Sequence, residues 1–164
     1  MNGLLEALTS TVFLVALGLW LGGVVFFSFF TAPVIFRLPR HQAVETIQAI
    51  FPRYYALGYT CGFLMICAAL YPLYRQATIG TWSIVLLALA ATVVSFYSGQ
   101  WVLPKVHRLR LAAEGSLGTS DHSLNLQAYS SAHGLSVSLN ALVLLILLGE
   151  AVLFAYRVRY DFAA

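Results

Sequence analysis

The sequence predicts an all-α fold: an integral membrane four-helix bundle with a short interfacial amphipathic helix between spans 1 and 2. Three observations carry this expectation. Of the 164 residues, 60% are hydrophobic and 9% charged, where an ordinary soluble domain carries about 25% charged residues. So few charges could not cover a fold of this size in water. The charges also fall between apolar runs long enough to cross a hydrocarbon core of about 30 Å. Finally, prolines and tyrosines gather where those runs end, as the interface between lipid and water favours. The length suits a single transmembrane domain over 1–164, with spans at about 8–36, 54–74, 81–103 and 131–156.

The first charge-free run extends from Ala7 to Phe36. As helix it measures roughly 45 Å, so it tilts or emerges into the headgroups. Met1-Asn2-Gly3 places no positive charge ahead of it and Glu6 is acidic, which fits a retained span rather than a cleaved leader. Gly18 and Gly22 form a GxxxG on this run, and small residues at that spacing let another helix backbone approach closely. Pro33 and Pro39 mark its exit.

In the connector from Arg37 to Arg53, Ala43, Val44, Ile47, Ile50 and Phe51 follow helical spacing while Arg40, His41, Gln42, Glu45 and Gln48 fill the other positions. This is the pattern of an amphipathic helix lying in the interface, ended by Pro52. The second span carries Tyr54 and Tyr55 at one end, Tyr71 and Tyr74 at the other, and a second GxxxG at Gly58 and Gly62. The third contains no charge and ends in Ser95, Ser98, Gln100 and Pro104, after which a basic stub with Lys105, His107, Arg108 and Arg110 continues to about Glu114. Gly115 to Asn125 is polar and Gly/Ser-rich, a loop. The fourth span is closed by Arg157 and Arg159.

Four spans put both termini on one side. Arg37, Arg40, Arg53, Lys105, Arg108 and Arg110 belong to the side of loops 1 and 3, against Arg75, Arg157 and Arg159 on the other. Positive residues favour the cytoplasmic side, so loops 1 and 3 are expected in the cytoplasm and both termini outside, in a cell inner or plasma membrane. The net charge of +3 is spread too thinly for a nucleic-acid surface and suits anionic lipid headgroups instead.

The candidate chemistry is sparse. His133, Ser136 and Asn140 recur at i, i+3 and i+7, within a sector of about 60° on a helix. Polar groups at membrane depth need partners, so this face should point into the bundle. It serves either interhelical hydrogen bonds to Ser95, Ser98 or Gln100, or a ligand or proton site. Imidazoles suit copper, zinc or haem iron, which makes His133, His107 and His41 the metal candidates, with His122 on the same side. None has the tight spacing of a strong metal motif, and no cofactor is the first expectation. Cys61 and Cys67 point in different directions on one helix and read as packing residues, with a soft-metal pair of Cys61 and Met65 as the alternative. Glu150 is an acid inside an apolar run, expected as a structural pair with Arg75, a snorkelling carboxylate or a proton relay. No hydrolase triad, phosphate loop or dinucleotide fingerprint occurs, so enzymatic activity is not the leading expectation.

Trp20-Leu21-Gly22-Gly23, Phe51-Pro52-Arg53-Tyr54-Tyr55, Pro104, and His133-Gly134-Leu135-Ser136 with Asn140 occur in an order that resembles the transmembrane protein 205-like family across nearly the whole chain. The resemblance implies four membrane helices and no particular reaction. That family is similar in layout to the copper-resistance-protein-D-like group, which includes a haem-linked protoporphyrinogen oxidase, and so brings copper or haem as alternatives. Family members carry Asn before the third-helix proline, where this chain has Gln100 as its nearest amide. Three function classes follow. The first is a non-catalytic packing or accessory component, as a homo-oligomer or a subunit of a larger membrane complex in the lipid bilayer. The second is a metal- or haem-binding protein centred on His133, and the third an ion or small-solute transporter using Glu150.

Overall fold

The structure, a computed structural model, describes residues 2–161, without the side chains of Asn2, Arg40 and 158–161. Arg40 and Arg159 of the charge count therefore lie outside the described side chains. The described chain is a set of helices: α1 (Asn2–Phe26), a π-turn (Phe27–Thr31), α2 (Ala32–Ile35), α3 (Arg40–Arg75), α4 (Ile79–Tyr97), a second π-turn (Ser98–Val102), α5 (Leu103–Gly115) and α6 (His122–Asp161). They join end to end into four rods, Gly3–Ile35, His41–Arg75, Ile79–Gly115 and His122–Arg157, each long and apolar enough to cross a membrane.

The two π-turns share one cause. The Ala32 N–H donates to the Phe27 carbonyl and the Leu103 N–H to the Ser98 carbonyl, five residues back instead of four. In each case the next residue is a proline, Pro33 or Pro104. A proline ring collides with the carbonyl four residues before it and offers no N–H. Widening the preceding turn by one residue relieves the collision without breaking the rod.

Pro52 acts differently from the expectation. The amphipathic segment does not end there: it is the first part of α3 and runs without a break into the second span. Its apolar face, including Ile47 and Phe51, is half-buried, while His41, Gln42, Glu45 and Gln48 are exposed. The turn at Pro52 faces outward, and the Arg53 guanidinium donates to the Ala49 carbonyl at 2.6 Å beside it. The third loop is shorter than expected, because α6 already begins at His122. There the His122 Nδ1 lies 3.0 Å from the Ala113 carbonyl, and Gly118 takes the left-handed φ of +82° that glycine adopts freely.

The rods form a ring: α1 packs on α3, α3 on α4, α4 on α6, and α6 returns to α1 along the lightest seam. Phe13, Leu17, Trp20 and Val24 of α1 meet Cys61 and Met65 of α3, Ala88 and Ala91 of α4, and Val143 and Leu147 of α6 in the core. The outside is oily as well, with Leu145 66% and Val152 69% exposed. In water such a surface would aggregate; in lipid it is the solvated one. The two glycine pairs part company here. A Cβ at Gly62 would collide with the Thr92 hydroxyl and stand 3.0 Å from the Trp20 ring, and one at Gly58 would stand 3.0 Å from the Trp20 indole nitrogen. This pair lets α1 and α4 close on α3. Gly18 and Gly22 instead face outward, with nothing within 4 Å of either position.

Candidate functional site

Polar groups converge in the half of the bundle next to loops 1 and 3, around tyrosines that the sequence reading assigned to the interface. Tyr54 of α3 donates its hydroxyl proton to the Asn140 Oδ1 of α6. The Asn140 amide in turn donates to the Ser28 Oγ at 2.8 Å. One carboxamide thus joins three of the four rods. Tyr55, one residue on, shares a hydrogen bond of 2.9 Å with Ser98 of the third rod, and Ser136 approaches the same phenol. Gln100 donates to the Tyr59 hydroxyl at 3.5 Å, the longest contact of the set.

Both serines sit in π-turns. A widened turn rotates the side chains within it relative to a straight α-helix, and this brings Ser28 and Ser98 to the tyrosines. Gly99 completes the fit, since a Cβ there would strike the Tyr59 hydroxyl and the Tyr55 ring. Around the hydroxyls the aromatic rings of Phe27, Phe51, Tyr54, Tyr55, Tyr59 and Phe96 follow one another at centroid distances of 4.7–6.4 Å. They pack against the phenols and hold them in place.

The residues singled out from sequence therefore separate. Asn140, Ser136 and Gln100 belong to the cluster. Asn140 draws its partners from the first and second rods, however, and not from Ser95, Ser98 or Gln100, of which Ser98 and Gln100 bond to Tyr55 and Tyr59 instead. His133 stands apart, its ring stacked on Tyr129 and edge-on to Phe36 at centroid distances of 6.0 and 6.2 Å. His41 is exposed and His107 half-buried. Among the described residues no three His, Cys, Asp or Glu side chains converge. His133, His107 and His41 thus do not form a shared three-ligand copper site. Cys61 and Met65 are both buried in the apolar core.

The expected pairing of Glu150 with Arg75 is not made. Glu150 is fully buried and neither carboxyl oxygen has a hydrogen-bond partner, while Arg75 is exposed at the end of α3. The sequence suggested that both emerge at one face of the membrane. The bundle instead turns Glu150 inward, as the following turn of α6 stacks its Phe154 on Phe13 of α1 at 5.2 Å.

A cleft of about 290 Å³ opens on the loop side between α3, α5 and α6, lined by Phe36, Ile47, Arg110, Glu114 and Tyr129 among others. Its charges are matched within α5, where the Arg110 Nε donates to the Glu114 Oε1 at 3.0 Å.

Comparison with known proteins gives relatives of uncharacterised function. A protein of Aquifex aeolicus (strain VF5), described as an uncharacterized protein, is 27% identical over 150 residues, covering 88% of this chain and 95% of that one. No solved structure matches. A family model described as a domain of unknown function, DUF4149, matches residues 15–114. That stretch runs from the middle of α1 to the end of α5 and takes in both π-turns and all three tyrosines of the cluster. The chain belongs to the DUF4149 family.

Proposed function

We propose that this chain is a non-catalytic component of a membrane assembly, docking through the outward face of its first span, and that the occupant of that face is a second copy of the chain. The observation that carries this reading is the position of Gly18 and Gly22. Glycine at i and i+4 on a lipid-facing surface adds nothing to lipid solvation, but it opens the backbone to close approach by another helix. Val15, at 54% exposure, and Phe26, at 63%, flank the pair on the same face and supply walls for the groove. A face of this kind can pair with its own image across a two-fold axis. The tyrosine–asparagine cluster then serves to fix the bundle behind the docking face, since all its identified hydroxyl and amide bonds run between rods. The likeness in motif order to the transmembrane protein 205-like family fits this role, as does an orientation with loops 1 and 3 in the cytoplasm.

Native mass spectrometry from lipid nanodiscs or mild detergent tests the reading. Wild type is expected as a dimer or higher oligomer, and Gly22→Leu as a monomer with unchanged helix content. A wild-type monomer, or a Gly22→Leu protein with wild-type oligomeric state, contradicts it. Co-purification of a different polypeptide in place of a second copy retains the docking face but overturns the homo-oligomer.

A further inference from the structure

Glu150 has no part in the cluster or in the docking face, yet its placement is unusual. Its depth follows from its neighbours on α6. Phe154 is level with Phe13 and Asn140 with Ser28. Since α1 and α6 run antiparallel, both contacts put Glu150 level with residue 17 or 18 of α1. Counted along its own apolar stretch, it lies roughly 9 Å from the centre, inside a hydrocarbon half-thickness of about 15 Å. The fully buried side chains of the core besides Glu150 include Met65, Leu147, Ala88 and Ala91, which offer no hydrogen-bond donor. Both carboxyl oxygens are shielded from solvent and unpartnered.

An acid so placed is expensive as a bare anion, and an accessory bundle would be more stable with leucine there. What the carboxyl can bind is limited by its surroundings. A metal cation needs about six or more oxygen ligands or a set of converging side chains, and no such group exists among the described residues. A proton needs one oxygen. The opening nearest to the carboxyl lies on the terminal side. One turn toward the termini a small cleft of about 10 Å³, lined by Thr9, Ser10, Phe13, Pro72, Phe154 and Arg157 among others, opens between the rods. That is the volume of about one water. The stacked rings of Phe13 and Phe154 stand between this cleft and Glu150.

We propose that Glu150 is a proton-binding site inside the bundle, loaded and emptied from the terminal side of the membrane through the cleft beside Phe13 and Phe154. The chemistry is one proton transfer: when the Phe13 and Phe154 rings part, a hydronium from the cleft gives its proton to a carboxylate oxygen and leaves as water, and the reverse step returns the proton to a water, with no electron moved and no bond to carbon changed. Among the described side chains, the ionisable groups on the terminal half of the packed rods are Glu6 on α1, Cys67, Tyr71, Tyr74 and Arg75 on α3, and Tyr156 and Arg157 on α6, with the Cys61 thiol nearer the level of Glu150; α4 contributes none there. The site is independent of the docking reading, because it lies inside one copy.

Infrared difference spectroscopy on nanodisc-embedded protein tests it. A carboxylic acid carbonyl band present in wild type and missing in Glu150→Gln is expected, shifting within minutes of transfer to D2O. Phe13→Ala is expected to hasten the shift severalfold, while Phe27→Ala, at the opposite end, leaves it unchanged. Location of the dicyclohexylcarbodiimide adduct on Glu150 of wild type, by peptide mass spectrometry, assigns the band should the glutamine variant fail to fold. A band that is absent at every pH, or unshifted after a day in D2O, overturns the proposal, and equal effects of the two phenylalanine variants overturn the route.

Discussion

Asn140 links three of the four rods, accepting from Tyr54 and donating to Ser28. Interhelical hydrogen bonds in membrane proteins are worth about 0.6 kcal/mol each on average, so Asn140→Ala is expected to destabilise the bundle by about 1 kcal/mol, read from reversible unfolding in bicelles. Steric positions carry larger effects. Gly62→Leu forces a side chain against Thr92 and Trp20, and overpacking of this kind costs about 1–3 kcal/mol. Gly18→Leu meets nothing within 4 Å and leaves the stability of the monomer unchanged in the same assay. The contrast is informative because both glycines sit in the same four-residue spacing. From sequence the two pairs were indistinguishable, since only the neighbours that the fold supplies decide which glycine is inside. The same limit hid the tyrosines. Tyr54 and Tyr55 read as belt residues because an amphipathic ring at a span end is ordinary, and nothing in their spacing announces that Asn140 and Ser98, 86 and 43 residues away, will meet them.

At the scale of elements, the long apolar runs made the four rods plain, because hydrocarbon solvation demands an uninterrupted helix and leaves little else. Their ends were less legible. Pro52 looked like a boundary and is not one, as its turn faces outward, where the carbonyl left without a helical partner meets headgroups and water. Pro33 reads as an exit and Pro104 as the start of a basic stub continuing the third span; each proline is absorbed by a π-turn that keeps its rod continuous. These turns set the cluster, because they aim Ser28 and Ser98. Pro104→Ala restores an N–H at that position and removes the ring from the Gln100 carbonyl, so the second π-turn is expected to relax toward an α-helix. Ser98 then rotates away from Tyr55. Ultraviolet resonance Raman spectra of the tyrosines check this, with one phenol expected to lose its hydrogen bond. An unchanged spectrum would mean that packing around Gly99, and not the proline, fixes the turn.

For the whole molecule, the exterior is as apolar as the interior, so the usual inside–outside contrast vanishes and function has to be read from exceptions. Two stand out: glycines exposed to lipid on α1, and a carboxyl buried without a partner on α6. The sequence showed both residue types, with both glycine pairs expected to pack against another helix and Glu150 to pair with Arg75, snorkel or relay a proton. The pairing with Arg75 is not made, because α6 turns Glu150 toward the core while Arg75 is exposed at the end of α3. The metal site expected of His133, His107 and His41 together is not formed, since no three His, Cys, Asp or Glu side chains converge among the described residues.

Disulfide crosslinking in native membranes is the most direct test of the assembly. With exposed Cys67 replaced by serine, single cysteines introduced at Gly18 and Gly22 are expected to form disulfide-linked dimers under mild oxidation, while one at Leu145, equally exposed on α6, stays monomeric. Equal crosslinking at Leu145, or none at the two glycine positions, would contradict docking through the first span.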